Sequence, residues 1–383
     1  QRRLHLRATV AELSRADPKL VERAVQAVLE LPTLARCEDV DALSAEVPPP
    51  EDPALAERVA ELDARLVDVD VKIRAGKYDE ASTLVAALTA EAEPLGWEPL
   101  LARAWGRQGR MQDAKGEYEA AKVSLERAYD AAVAQQMVQE AAYASATLVS
   151  VLGLRLARPA EGRRWVVDAD PLSRAAGDVA RSSYLTNLGN LELAEGEHAA
   201  AREHLEQALA LREQAVGPDH PDVVVMLINL GNVAAEQGQL VRSRASFDRA
   251  LAIVTKVLGP EHPDVAIIVG NLGNLAYLEG KPGVAREHLE RALAIRTRTL
   301  GLEHPHVGLT LASLASVAHD EGNDAEAREL YDQALAILIK TLGPDHRNVA
   351  EVRDGRAKLE RSQSPVGAVP DPSPAAAPAT QAP

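Results

Sequence analysis

At 383 residues, with 3% aromatics and an Ala-, Leu-, Glu- and Arg-rich composition, the chain reads as helical and could hold two or three ordinary domains. Its net charge of −15 falls almost wholly within residues 51–360, as interspersed acids and bases, a surface that repels nucleic-acid phosphates. No apolar run of about 18 residues occurs, so no membrane span is expected. The one cysteine, Cys37, excludes an internal disulfide or a cysteine-based zinc site.

QRRLHLRATV has neither an initiator Met nor an apolar signal core, which points to the downstream part of a longer polypeptide in the cytoplasm. Residues 1–46 predict a helical linker segment with two helices in 1–31, the second started by Asp17 and Pro18. Glu38 and Asp39 disfavour a Cys37 thiolate, so this cysteine reads as structural. VPPPEDP (47–53) is a Pro-rich linker and helix entry.

Residues 54–180 carry irregular helical units. AGKYDEASTLVAAL (75–88) and AKGEYEAAKVSLERAYDAA (114–132) each read as a turn followed by a helix. A further unit spans 139–176, where RPAEGRRWVVDADPLSR replaces the expected turn. Trp97, Trp105 and Trp165 fall in these units and are expected to fill gaps between mismatched helices.

From 181 to 345 a strict period appears. VGPDHPDV, LGPEHPDV, LGLEHPHV and LGPDHRNV begin at 216, 258, 300 and 342, a step of 42. Asn187, Asn229 and Asn271 keep this step, as do Leu205, Phe247, Leu289 and Tyr331. A fixed period of this size predicts a solenoid whose units bury apolar faces only against neighbours. Within one unit, Val223, Met226, Leu227, Leu230, Gly231 and Ala234 form one helical stripe. Phe247, Ala250, Leu251, Val254 and Leu258 form another, and EQGQ (236–239) breaks the chain between them. The expected architecture is all-α, a stack of antiparallel helix pairs, about seven over 54–345. A charged capping helix follows at 346–361. The Pro/Ala-rich tail at 362–383 has too little apolar bulk to order.

NLGNVAAEQGQLVRSRASFDRALAIVTKVLGPEHPDV resembles a tetratricopeptide repeat of the 42-residue kinesin-light-chain variety. The family's small–large–small positions match Gly231, Phe247 and Ala250, while Ser243 stands where Ala is usual. This resemblance implies a right-handed superhelical α-solenoid that binds protein segments in its concave groove. LRATVAELSRADPKLVERAVQAVLELPTLARCEDVDAL is similar to the stretch joining a kinase domain to such repeats in bacterial, especially myxobacterial, serine/threonine kinases. That second resemblance implies a kinase domain upstream. A stand-alone scaffold is the alternative.

Little in the chain suggests catalysis. His220, His262, His304 and His346 recur once per repeat, which places equivalent positions roughly 20 Å apart when packed helices lie about 8–10 Å apart. Metal–nitrogen bonds of about 2 Å cannot be shared over that span. The string reads instead as punctuation: Gly ends a helix, Pro blocks its continuation, and Asp219, Asp222, Glu261 or Asp264 cap the next. DHRN (345–348) is a repeat variant without the partner motifs of a kinase, and GK at 76–77 and 280–281 lacks the rest of a phosphate loop. No cofactor, metal, nucleic-acid or membrane partner is expected.

The candidate site is a polar ladder. NLGN at 187–190, 229–232 and 271–274 becomes SLAS at 313–316. At about 100° per residue, Asn229 and Asn232 fall roughly 100° and 160° from Leu230, on a flank away from the apolar stripe. In the resemblance, these first-helix positions line the peptide groove. The carry-over reaches Asn187, Asn190, Asn229, Asn232, Asn271 and Asn274, and extends to the shorter Ser313 and Ser316. The competing role is bridging between neighbouring helices.

Overall fold

The computed structural model describes residues 47–74 and 77–363. The helices expected in 1–46, Cys37 and the tail beyond Gln363 lie outside the described residues. Among the described residues there are fifteen α-helices and no strand. Seven consecutive pairs form: α1 (Pro53–Arg74) with α2 (Tyr78–Ala92), α3 (Glu98–Ala114) with α4 (Tyr118–Ala134), and α5 (Val138–Ser150) with α6 (Pro159–Ala175). The series continues with α7 (Asp178–Ala194) and α8 (His198–Val216), α9 (Val224–Glu236) and α10 (Leu240–Leu258), α11 (Pro263–Leu278) and α12 (Pro282–Leu300), and α13 (Pro305–Asp320) and α14 (Asp324–Leu342). Helix α15 (Arg347–Gln363) closes the stack, with Val349, Val352 and Leu359 buried.

Three of the four regular pairs are each held by one close glycine approach. Gly189, Gly231 and Gly273 lie against Leu205, Phe247 and Leu289, and a Cβ on Gly231 would stand 2.5 Å from the Phe247 ring. Gly109 meets Leu125 in the same way, which extends this packing into the irregular region. Phe247 is buried, and Val223, Val254, Val265 and Ile295 join its cluster across two neighbouring pairs. Apolar burial between neighbouring pairs is thus the main stabilising term, as expected of a solenoid.

RPAEGRRWVVDADPLSR is not a turn. It forms α6, because Pro159 occupies the first helical turn, where its missing N–H costs nothing. The irregularity lies before it, where α5 runs into a π-helical segment over Val151–Arg155. Trp165 packs edge-on against Tyr129 with ring centroids 4.8 Å apart.

The repeated string also has a corrected role. The acids do not supply the capping acceptor; the histidines do. His220, His262, His304 and His346 accept on Nδ1 from the backbone N–H two residues on, at 3.1, 3.2, 3.1 and 3.1 Å. Asp222 and Asp264 stand in the first turn beside them. An imidazole accepting on Nδ1 is neutral with its proton on Nε2. In two junctions that proton reaches far across the molecule. His304 Nε2–H donates to the Ala114 carbonyl at 3.2 Å, and His346 Nε2–H to the Arg155 carbonyl at 2.8 Å.

These bonds close the superhelix on itself. First helices touch consecutively (α5 with α7, α7 with α9, α9 with α11), whereas second helices make no comparable contact, so the stack curves with first helices inside. After one turn the α13 entry meets the end of α3, where Gly116 packs against Pro305. A cleft of about 480 Å³ remains along this seam, between Arg155 and Arg158 on one side and Gly343 to His346 on the other. The double variant His304→Asn/His346→Asn keeps a capping acceptor and removes both cross-turn donors, at about 1 kcal/mol each. Small-angle scattering should then show a larger radius of gyration. An unchanged profile would mean that the seam does not hold the curvature.

Candidate peptide-binding face

The first helices of the four regular pairs present the same stripe. Ser183, Asn187 and Asn190 in α7 are matched by Val225, Asn229 and Asn232 in α9 and by Ile267, Asn271 and Asn274 in α11. Leu309, Ser313 and Ser316 continue it in α13. The i, i+4, i+7 spacing puts each set on one helix face. None of the twelve is buried, and Val225, Ile267 and Asn274 are exposed.

The polar members divide between two tasks. Asn187 Nδ2 donates to the Ala146 carbonyl of α5 at 2.8 Å, a bridge between neighbouring first helices. Ser316 Oγ lies 2.9 Å from the Tyr331 hydroxyl in the second helix of its own pair. Asn229 Nδ2, by contrast, is buried without a hydrogen-bond partner among the described residues. Asn190, Asn232, Asn271, Asn274 and Ser313 remain half-buried or exposed on the stripe.

Sequence reasoning missed that the stripe continues toward the N-terminus with different chemistry. Counted from Gly109 and Gly189, which pack alike, Arg103, Arg107 and Arg110 occupy the positions of Ser183, Asn187 and Asn190. Arg103 pairs with Asp63 of α1 at 3.0 Å and with Glu140 of α5 at 3.4 Å. Arg107 Nε donates to Asp70 of α1 at 3.0 Å. The inner face is therefore ionic over α1, α3 and α5 and neutral over α7 to α13. GRQGRM (106–111), aligned by Gly109 onto NLGN, carries the signal that could have shown it.

Among the described residues, no group of three or more His, Cys, Asp or Glu could hold a metal, and no helix is long and apolar enough to cross a membrane.

Paired helices stacked in register with a small–large contact in each pair define an α-solenoid repeat protein. A tetratricopeptide repeat model matches residues 179–242, 222–298 and 306–364, and a second tetratricopeptide repeat model matches 102–132. Together they span more than half of the chain, which belongs to the tetratricopeptide repeat proteins. Repeats of this family typically serve as protein–protein interaction modules. Comparison with curated proteins gives no significant match.

Among solved structures, the kinesin light chain repeats of Podospora anserina are 26% identical, covering 49% of this chain and 88% of that one, with a TM-score of 0.40. BtubC (BKLC) from P. vanneervenii is 17% identical over 86% of this chain and all of its own, with a TM-score of 0.36. PilF of Pseudomonas aeruginosa is 18% identical over 67% of this chain and 98% of its own, with a TM-score of 0.39.

Proposed function

We propose that the inner face binds an extended segment of a partner protein, held by the asparagine ladder over α7, α9 and α11 and its serine continuation in α13. The observation that carries this reading is the pairing of an exposed apolar side chain with an amide one turn on: Val225 with Asn229, and Ile267 with Asn271. An exposed Val or Ile on a concave surface supplies apolar area to a ligand, and an amide can both donate to and accept from its backbone.

Peptides selected from a random library on the wild-type chain should bind the Asn187→Ala/Asn229→Ala/Asn271→Ala variant at least about tenfold more weakly. Circular dichroism must show the helices intact. Equal affinity in a folded triple variant would remove the ladder from the binding surface.

We further infer that these repeats are the partner-recruiting part of a polypeptide with a serine/threonine kinase domain upstream. The similarity of residues 1–46 to the joining segment of bacterial kinases supports this. The coding sequence preceding Gln1 tests it: an Asp-Phe-Gly and a catalytic-loop His-Arg-Asp in frame are expected, and a start codon close to Gln1 would leave a stand-alone scaffold.

A further inference from the structure

Two arginines occupy equivalent positions in second helices, Arg212 in α8 and Arg296 in α12, two repeats apart. The same position holds Val254 and Leu338 in the other two regular repeats. Room for the long side chain is made in both cases: Thr186 and Gly270 stand where the Val254 repeat has Ile228, and Arg296 Nη2 lies 3.1 Å from where a Gly270 Cβ would be.

Arg212 is fully engaged. Its guanidinium donates to Asp222, to the hydroxyls of Ser182 and Ser183, and to the Val179 carbonyl. At Arg296 every one of those side-chain acceptors is gone. The equivalents of Ser182, Ser183 and Asp222 are Ala266, Ile267 and His306. Arg296 Nη1 reaches only the Thr310 hydroxyl and, at 3.5 Å, the His306 carbonyl. No carboxylate pairs with it among the described residues, and burial alone pushes its pKa down to about 10.

The surroundings add positive charge rather than cancel it. The His306 ring stacks on His304 with centroids 5.1 Å apart and has no hydrogen-bond partner on either nitrogen among the described residues. Closure of the superhelix brings Arg155 against the same spot, where its charge and that of Arg296 both act on His306. Arg155 has Asp113 at 3.4 Å; Arg296 has nothing equivalent. A guanidinium kept in a half-buried place, with its acid exchanged for a neutral imidazole, presents unused donors to an anion.

We propose that Arg296 and His306, facing Arg155 across the seam, bind an oxyanion of the carboxylate or phosphate type in the place that Asp222 fills beside Arg212. Such an anion would tie the third helix pair to the sixth and seventh. The site lies between α12 and the α13 entry at the seam, uses none of the ladder's asparagines, and goes beyond the groove reading.

The test uses the full chain, with inorganic phosphate titrated against chloride at matched ionic strength and hexaglutamate against hexalysine, followed by thermal unfolding. Wild type should gain about 3 °C at tenfold excess over the dissociation constant and more, with the logarithm of concentration, beyond it. Arg296→Leu, which copies Leu338, should lose the response while folding normally. His306→Asp should lose it too, and should unfold at a higher temperature than wild type when no anion is added, because the carboxylate is then built in. The triple asparagine variant should respond like wild type, which separates this site from the ladder. Response to hexaglutamate as well as phosphate would mean that a partner chain supplies the anion; response to phosphate alone would mean a free ion. A wild type unresponsive to both probes, or a response retained by Arg296→Leu or His306→Asp, would overturn the proposal.

Discussion

Lowering the pH from 7 to 4 is expected to cost the fold about 3 kcal/mol through His304 alone. Burial pushes this imidazole's pKa down to about 4, with the Arg296 and Arg155 charges acting in the same direction and the Ala114 carbonyl opposing them. In the unfolded chain a histidine titrates near 6.5. The folded state therefore binds fewer protons between these values. The His304 contribution is complete above about pH 6.5, falls steadily as the pH drops, and is lost by about pH 4. The structural cause is specific: Nδ1 accepts from His306 N–H while Nε2–H donates to Ala114. Protonation removes the acceptor and places a cation beside two arginines. Urea unfolding of wild type and His304→Asn at pH 7, 5.5 and 4 measures the difference. The gap between the two should shrink with falling pH, and a constant gap would show that His304 does not titrate in this range.

Phe247→Ala should destabilise the protein by about 3–5 kcal/mol. Phe247 is the only phenylalanine in the chain; it is buried at 1% exposure and fills the space that Gly231 leaves open. Truncation leaves a cavity bounded on one side by glycine, which has no side chain to move into it. Because a solenoid unit leans only on its neighbours, the loss falls on the fourth to sixth pairs rather than evenly along the stack. Hydrogen exchange should show α9 and α10 opening well before the rest. Phe247→Leu is the control: Leu205 and Leu289 fill the same position, so it should cost less than about 1.5 kcal/mol. A loss below that figure for Phe247→Ala would mean that the surrounding helices collapse onto the gap.

The neutral and ionic halves of the inner face differ in how readily they could be read. Asn187, Asn229 and Asn271 share the 42-residue step, and helical geometry alone put them on a non-core flank. Arg103, Arg107 and Arg110 hold the same stripe one superhelical segment earlier, but lie 80 residues from Ser183, Asn187 and Asn190 rather than 84. The shorter unit hid the register until Gly109 was found packing on Leu125 as Gly189 packs on Leu205. The division of labour among the amides was also hidden. Only the tertiary structure distinguishes Asn187, bonded to Ala146, from Asn229, whose buried Nδ2 has no partner among the described residues.

Paired helices, the small–large contact and the breaks between units follow from local periodicity, because apolar side chains at helical spacing and glycines at fixed steps act over a few residues. What joins the chain over about 190 residues does not. The step of the repeated histidine was plain in LGPEHPDV and its relatives, but its two bonds were not. Capping through Nδ1 depends on a local rotamer, and the reach of Nε2 to Ala114 and Arg155 depends on small rotations summed over several pairs. The same closure sets Arg155 beside His306 and Arg296, and a charge without a counter-charge becomes visible only when all its neighbours are in place.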